Sequence, residues 1–166
     1  LQSLRERAAS DLKRIVLSEG DDPRVIAAAI AAQRAGMAQV AIVGDEKGMQ
    51  DALTAAGGAD LGIELHDPTS SPLAAELQAK LVELRAHKGM TEERAAKDIQ
   101  NRLVYAALLV ATGHADGTVG GAVETTSATV RAALQIIGKA PSEALVSSFF
   151  LMVLPEGHPS GRDALI

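Results

Sequence analysis

Short apolar runs alternate with longer alanine-rich stretches along this chain, and the alternation restricts the folds open to it. The runs of strand length cover residues 14–18, 40–43, 63–66 and 118–120. The stretches of helical length cover residues 23–35, 47–56, 73–87, 91–113 and 126–138. Strands that alternate with helices in this way predict a parallel sheet covered by helices on both faces. The predicted fold class is therefore α/β, a three-layer α/β/α architecture with a mainly parallel sheet.

The predicted core is built almost entirely from aliphatic side chains. Apolar residues make up 47% of the 166 residues, but only 2% are aromatic (Tyr105, Phe149 and Phe150). Ala, Val, Leu and Ile must therefore fill the interior, which suits small helices packed closely on a sheet of Val and Ile. A chain of this length can form one domain with a sizeable core, or one domain and part of another.

The composition argues against several classes of protein. A net charge of −5 disfavours nucleic-acid binding, which needs a basic surface. No run approaches the roughly 18 apolar residues of a membrane span, and residues 1–13 lack the apolar centre of a signal peptide. The chain has no cysteine, and its four histidines lack the spacing of a metal site. We therefore expect a cytoplasmic protein without a metal.

The stretch most suggestive of a binding site is ADGTVGGAVETTSATVR, residues 115–131. A predicted strand leads into Gly120 and Gly121, and hydroxyl residues at 125–127 open the next helix. Arg131 follows about one turn later, so glycine backbone, free N–H groups and a guanidinium could together hold a phosphate beyond the strand. An equally good interpretation is a tight turn, a capping threonine and a solvated arginine. The stretch matches neither a dinucleotide-binding GxGxxG motif nor a P-loop.

An acidic turn with the sequence EGDDP, residues 19–23, follows the first predicted strand. Its carboxylates, Glu19, Asp21 and Asp22, could orient a basic group or act as a general base. The favoured interpretation is that they cap the next helix and complement its dipole, with Asp22 as the N-cap before a proline. Arg24 is then a candidate partner for one of them.

Basic residues gather at the end of the helix predicted for residues 73–87. Arg85 lies in the last predicted turn, and Lys88 and Gly89 follow it. On residue chemistry alone, the favoured interpretation is that the cations complement the helix dipole and that Gly89 ends the helix.

Strings spread along the chain resemble the phosphate acetyl/butyryl transferase family. They are VLSEG at 16–20 with Arg24, ELRxHKG at 83–89, ADG at 115–117, VxGA at 119–122, TVRAALQII at 129–137 and VSSxFLMxLP at 146–155. The matches follow in order over nearly the whole chain. The ADG, TVR and QII strings indicate the acetyltransferase branch, whereas related domains fused to NADP-malic enzymes differ around Arg85 and residues 125–131.

The resemblance implies two α/β domains similar to the isocitrate/isopropylmalate dehydrogenase class, with the active site in the cleft between them. The implied reaction is reversible: acetyl-CoA and phosphate give acetyl phosphate and CoA, and the CoA thiolate attacks the acetyl carbonyl directly in a ternary complex. Coenzyme A is a substrate, and no cofactor is expected. The implied partners are these small molecules, without nucleic acid or membrane, and the implied assembly is a homodimer. A butyryl-transferring enzyme is the alternative within the family.

The resemblance also implies roles for particular residues. Arg85 and Arg131 fall on positions that imply catalytic residues, so the resemblance overrides the purely structural interpretation of Arg85. The residues implied to line the phosphate or acyl end of the pocket are Gly120, Gly121, Thr125, Thr126, Ser127 and Thr129.

Members of the family have roughly twice this length, which implies a division of the chain. Residues 1–143 are predicted to form the first domain without its C-terminal return segment, and residues 144–166 to begin the second domain, with a strand in the apolar run 144–154. The other half would supply a Ser-Arg pair and an Asp acting on the thiol, so we expect this part alone to be inactive. Leu1 is not a methionine, so we expect the natural protein to begin upstream. If the chain truly ends at Ile166, a non-catalytic domain that binds phosphate or acyl-CoA is the alternative.

Overall fold

Four parallel strands form the main sheet of the structure, a computed structural model that describes residues 2–155, 157–160 and 164–165. The strands are β1 (Arg14–Leu17), β2 (Gln39–Val43), β3 (Glu64–His66) and β4 (Gly117–Val119). They lie in the order β3-β2-β1-β4. The helices are α1 (Gln2–Ser10), α2 (Pro23–Arg34), α3 (Glu46–Ala55), α4 (Ala74–Arg85), α5 (Glu92–Asp98), α6 (Arg102–Ala111) and α7 (Thr126–Ile136).

Alternate side chains of β2 point to opposite faces of this sheet, as the pleat of a strand requires. Val40 and Ile42 are buried against α2 and α3. Ala41 and Val43 belong to the other core, which α4, α5, α6 and α7 cover. Both faces of the sheet are therefore covered by helices, and the prediction of a three-layer α/β/α fold with a parallel sheet is confirmed.

The order of the strands reverses between β1 and β4. The chain runs outward from β1 through β2 to β3, and then returns through α4, α5 and α6 to place β4 on the other side of β1. Ligands of open α/β sheets bind outside the carboxyl ends of the strands at such a reversal. Residues 18–24 follow β1 and residues 120–125 follow β4, so the sheet brings together two segments that are far apart in the sequence.

Most predicted elements are confirmed within a few residues, but the single helix predicted for residues 91–113 is wrong. The structure divides it into α5 and α6. Asn101 is the N-cap of α6, because its side chain accepts hydrogen bonds from the backbone N–H groups of Leu103 and Val104. Gln100 lies in the break and donates a hydrogen bond to the carbonyl of Pro68 (3.1 Å). These polar bonds end one helix and begin another without a glycine or a proline.

The strand predicted in the apolar run 144–154 is wrong for most of its length. Only β5 (Met152–Val153) is a strand there, and it pairs antiparallel with β6 (Ala164–Leu165). Leu145 is 83% exposed and Phe150 is 81% exposed, because no other element among the described residues covers this segment. The assignment of residues 1–143 and 144–166 to two domains stays a prediction.

The N-terminal helix α1 was not anticipated, and none of its residues is buried. Within the described ranges, no helix combines the length and the apolar character needed to cross a membrane.

Candidate functional site

A buried carboxylate lies at the centre of the crevice between β1 and β4. Glu19 lies two residues beyond the end of β1 and is 3% exposed. Its Oε2 accepts hydrogen bonds from the backbone N–H groups of Gly121 and Ala122, both at 2.8 Å. Its Oε1 accepts from the N–H groups of Val123 (2.9 Å) and Glu124 (2.6 Å). One carboxylate therefore satisfies four consecutive backbone donors of the loop that joins β4 to α7.

These hydrogen bonds keep Glu19 ionised. Burial is the largest single influence on this carboxyl group and pulls its pKa upward, but the four N–H groups act together in the opposite direction. The net effect is a pKa below the ordinary value of 4.5. Glu19 is therefore a fixed negative charge at neutral pH, held by four backbone N–H groups.

Arg24 holds the same loop from its carbonyl side. Its Nη2 donates to the carbonyl of Ala122 (2.7 Å) and also pairs with Asp22 Oδ2 (2.7 Å). The hydrogen bonds from Arg24 lower the pKa of Asp22 to about 2. Asp22 is the N-cap of α2, as predicted, and the expected pairing of Arg24 with one of the three acidic residues is with Asp22. The 121–124 loop is thus bonded to the turn after β1 through both its N–H and its C=O groups.

The interpretation of Glu19 as a cap of α2 is wrong. Its carboxylate bonds to the loop before α7, whereas Asp22 alone of the three acidic residues accepts from the first turn of α2. The third, Asp21, forms an ion pair with Arg102 at the start of α6. The sequence placed Glu19 in the correct turn but could not indicate its partners, which lie more than a hundred positions away.

The predicted glycines have clear structural reasons. Gly121 has φ +101°, which L side chains rarely adopt. A Cβ on Gly120 would lie 2.5 Å from Ser18 Oγ, so glycine allows the two chain segments to approach closely. The N–H of Gly121 is bonded to Glu19, so the anion at this position is the protein's own carboxylate. Binding of substrate by Gly120 and Gly121 stays a prediction.

Hydroxyl groups line the start of α7 next to this loop. Thr125 is the N-cap, and its Oγ1 accepts from the N–H of Ala128 (3.2 Å) and lies 3.1 Å from Ser127 Oγ. Thr129 donates from its Oγ1 to the carbonyl of Thr125 (3.2 Å). Thr126 is exposed. The expected capping threonine is therefore present, and the predicted contacts of these hydroxyls with substrate stay predictions.

Arg131 and Arg85 are both available for a ligand. Arg131 lies on α7, one turn beyond the hydroxyl residues, and is exposed. Arg85 is the last residue of α4 and is half-buried. Within the part of the chain that the structure describes, neither guanidinium forms an ion pair or a hydrogen bond. Helices α4 and α7 contact each other on the same face of the sheet, and the catalytic roles of the two arginines stay predictions.

A shallow apolar pocket of about 300 Å³ adjoins the loop on the α2 side of the sheet. Leu17, Val25 and Val119 line it, together with Glu19 and Gly120. An apolar wall next to a polar loop could receive a small acyl group or an aliphatic chain.

Two of the four histidines, His66 and His114, pair with carboxylates. His66 Nε2 lies 3.1 Å from Glu64, and His114 Nε2 lies 3.0 Å from Glu76. Among the residues described, no group of three or more His, Asp or Glu side chains could hold a metal ion. The expectation of a protein without a metal stays a prediction.

His66 gives a prediction for stability. Burial lowers the pKa of His66 below its ordinary value of 6.5, despite the opposing influence of Glu64. The unfolded chain therefore binds more protons than the folded chain below pH 6.5, and the free energy of unfolding falls as the pH decreases. We expect the wild-type protein to lose stability relative to His66→Gln between pH 7.5 and 5.5 in urea titrations. A gain relative to His66→Gln would show that Glu64 outweighs burial.

The chain matches proteins of known family over almost its whole length. Residues 1–164 match the family described as "Phosphate acetyl/butaryl transferase". The chain belongs to this family. It is 45% identical over 162 residues to the phosphate acetyltransferase of Acetivibrio thermocellus. The aligned region covers 95% of this chain and 48% of that protein. It is 43% identical over 156 residues to the phosphate acetyltransferase of Escherichia coli K12, with 92% of this chain and 21% of that protein covered.

Solved structures of this family share the fold. The EutD phosphotransacetylase from Staphylococcus aureus superposes with a TM-score of 0.83 at 36% identity, over 93% of this chain and 47% of its own. A phosphotransacetylase from Streptococcus pyogenes gives a TM-score of 0.80 at 34% identity, over 84% and 42% of the two chains. The chain thus spans less than half the length of these family members.

Proposed function

We propose that this chain forms one wall of the active site of a phosphate acetyltransferase, which exchanges an acetyl group between coenzyme A and inorganic phosphate. One observation carries the proposal. Arg131 is exposed and has no protein partner among the described residues. In this member of the family it lies one turn beyond the hydroxyl residues 125–127, at the switch between β1 and β4. A guanidinium presents donors in the planar arrangement that fits a phosphate.

The reaction requires cations and donors more than it requires acid–base groups. When the CoA thiolate attacks acetyl phosphate, negative charge grows on the carbonyl oxygen and on the departing phosphate. Arg131 and Arg85 would hold the phosphate and stabilise this charge, and Thr125, Thr126, Ser127 and Thr129 would donate further hydrogen bonds. In this proposal coenzyme A is a substrate and no other cofactor takes part.

The proposal includes a cytoplasmic homodimer that acts on small molecules. The exposed apolar surface supports a further protein layer. Val130 and Leu134 on α7 and Ile137 at its C-cap recur at helical spacing and are each more than 40% exposed. Leu145 and Phe150 add to this surface. Apolar surface of this extent is typical of a face that another domain or subunit covers.

The test is an assay of the full-length gene product with acetyl-CoA and phosphate. We expect formation of acetyl phosphate and free CoA, the CoA being detected with a thiol reagent, and no product when phosphate is omitted. A parallel assay with butyryl-CoA separates the two activities in the family's description, and a higher kcat/KM with butyryl-CoA would replace the acetyl assignment. Binding of acyl-CoA without turnover would instead support a non-catalytic binding domain.

A further inference from the structure

We propose that Glu19 is a positioning residue for acetyl transfer: its carboxylate serves as a built-in anion that fixes the 121–124 loop and thereby the start of α7. This inference rests on the proposed function. It arises because the loop that the sequence suggested for phosphate is already occupied by a side chain of the protein itself.

The first step of the argument concerns the four donors. Successive backbone N–H groups that converge on one point form an anion-binding concavity. In this structure all four converge on Glu19, which is 3% exposed. A substrate phosphate therefore cannot use these N–H groups, and its recognition falls to groups further along the chain. The nearest such groups along the chain are the hydroxyls at the start of α7 and the guanidinium of Arg131.

The second step concerns the segment that is held by Glu19 and its four donors, which we call the Glu19 clamp. Glu124 is the last residue bonded to the carboxylate, and Thr125, the N-cap of α7, follows it directly. Arg24 holds Ala122 from the carbonyl side, so the loop is fixed in two directions. Any shift of this loop therefore moves the hydroxyl groups at residues 125–127. A displacement of about 1 Å in a positioning element can cost roughly 100-fold in rate.

The test uses chemical rescue in the full-length gene product. Glu19→Ala removes the carboxylate. It leaves a space about the size of that group beside four backbone N–H groups without an acceptor. We expect kcat for acetyl transfer to fall about 100-fold and to recover about tenfold when formate is added. Formate is the probe because it is the smallest carboxylate that can bond to the same N–H groups.

Two further variants separate positioning from folding. Asp45→Ala is the control, because it also removes a carboxylate that accepts from a backbone N–H group, at the start of α3. We expect formate to leave the kcat of this variant unchanged. Glu19→Gln keeps the shape but offers an acceptor to only part of the loop, so its kcat should fall without recovery in formate. If Glu19→Ala does not fold, a wild-type kcat in Glu19→Gln overturns the proposal. A wild-type kcat in Glu19→Ala, or a reduced kcat that formate leaves unchanged, overturns it as well.

Failure of the proposed function is distinguishable from failure of this inference. If the wild-type gene product transfers no acetyl group, the proposed function fails. The clamp is then read from the amide NMR signals of residues 121–124 in Glu19→Ala. Formate should shift those signals in the variant and not in the wild type, and unchanged signals would overturn the clamp itself.

Discussion

Replacing Arg131 by alanine is expected to lower kcat/KM for phosphate by about 100- to 1,000-fold in the full-length gene product, the usual loss when one donor to developing charge is removed. The side chain is exposed on α7 and has no hydrogen-bond partner within the described residues. Its removal therefore leaves no buried group unsatisfied. The loss should appear in the rate and not in the stability of the fold.

Two control variants test whether the effect depends on the geometry of the guanidinium and on its position in the fold. Arg131→Lys keeps the charge but loses the bidentate geometry, so it should recover only part of the activity. Arg94→Ala removes another exposed arginine, whose pairing with Asp98 spans 3.6 Å within α5, and it should leave kcat/KM unchanged. Steady-state kinetics at varied phosphate concentration measure all three. Equal rates for Arg131→Ala and wild type would remove Arg131 from the site.

Replacing Tyr105 by alanine should cost about 4 kcal/mol of unfolding free energy. Tyr105 is fully buried in α6, and its ring lies 5.8 Å from the ring of His66. In a core with almost no other aromatic group, alanine would leave a cavity that the short neighbouring side chains cannot fill. The loss should therefore fall within the range for aromatic side chains truncated in a core.

Tyr105→Phe separates the cavity from the hydrogen bond. The Tyr105 hydroxyl bonds to the hydroxyl of Ser71, and its removal alone should cost about 1 kcal/mol. Urea titrations followed by far-UV circular dichroism suit this comparison, because the chain has one tyrosine and no tryptophan for fluorescence. Similar losses in Tyr105→Phe and Tyr105→Ala would mean that the hydrogen bond, not the ring, supplies the stabilisation.

The sheet could be predicted from the sequence because its strands are continuous apolar runs. Residues 40–43, for example, are apolar throughout because both faces of β2 are covered, which is typical of a parallel sheet. The run at 144–154 is also mostly apolar, but its residues 144–153 are exposed. Composition reports a preference for burial and does not identify the surface that would provide it.

The break between α5 and α6 has a local signal, because Asn101 caps α6 through the N–H groups of Leu103 and Val104. The bond of Gln100 and the role of Glu19 were beyond prediction, because they depend on polar partners that only the folded chain brings near. Gln100 bonds to Pro68, and Glu19 bonds to residues at 121–124. Local periodicity contains no information on such partners. Arg131 and the hydroxyl row could be found from the sequence because they are close together along the chain.

The Glu19 clamp has a consequence for how the protein is made. The carboxylate and its four donors are separated by 102 to 105 positions. At about 5–20 residues per second, translation takes roughly 5 to 20 s to cover that distance. During this interval Glu19 is a hydrated charge without donors, and β1 has no β4 beside it. Contacts over such separations form slowly because chain entropy must first be lost. The crevice should therefore be the last part of the four-stranded sheet to become ordered.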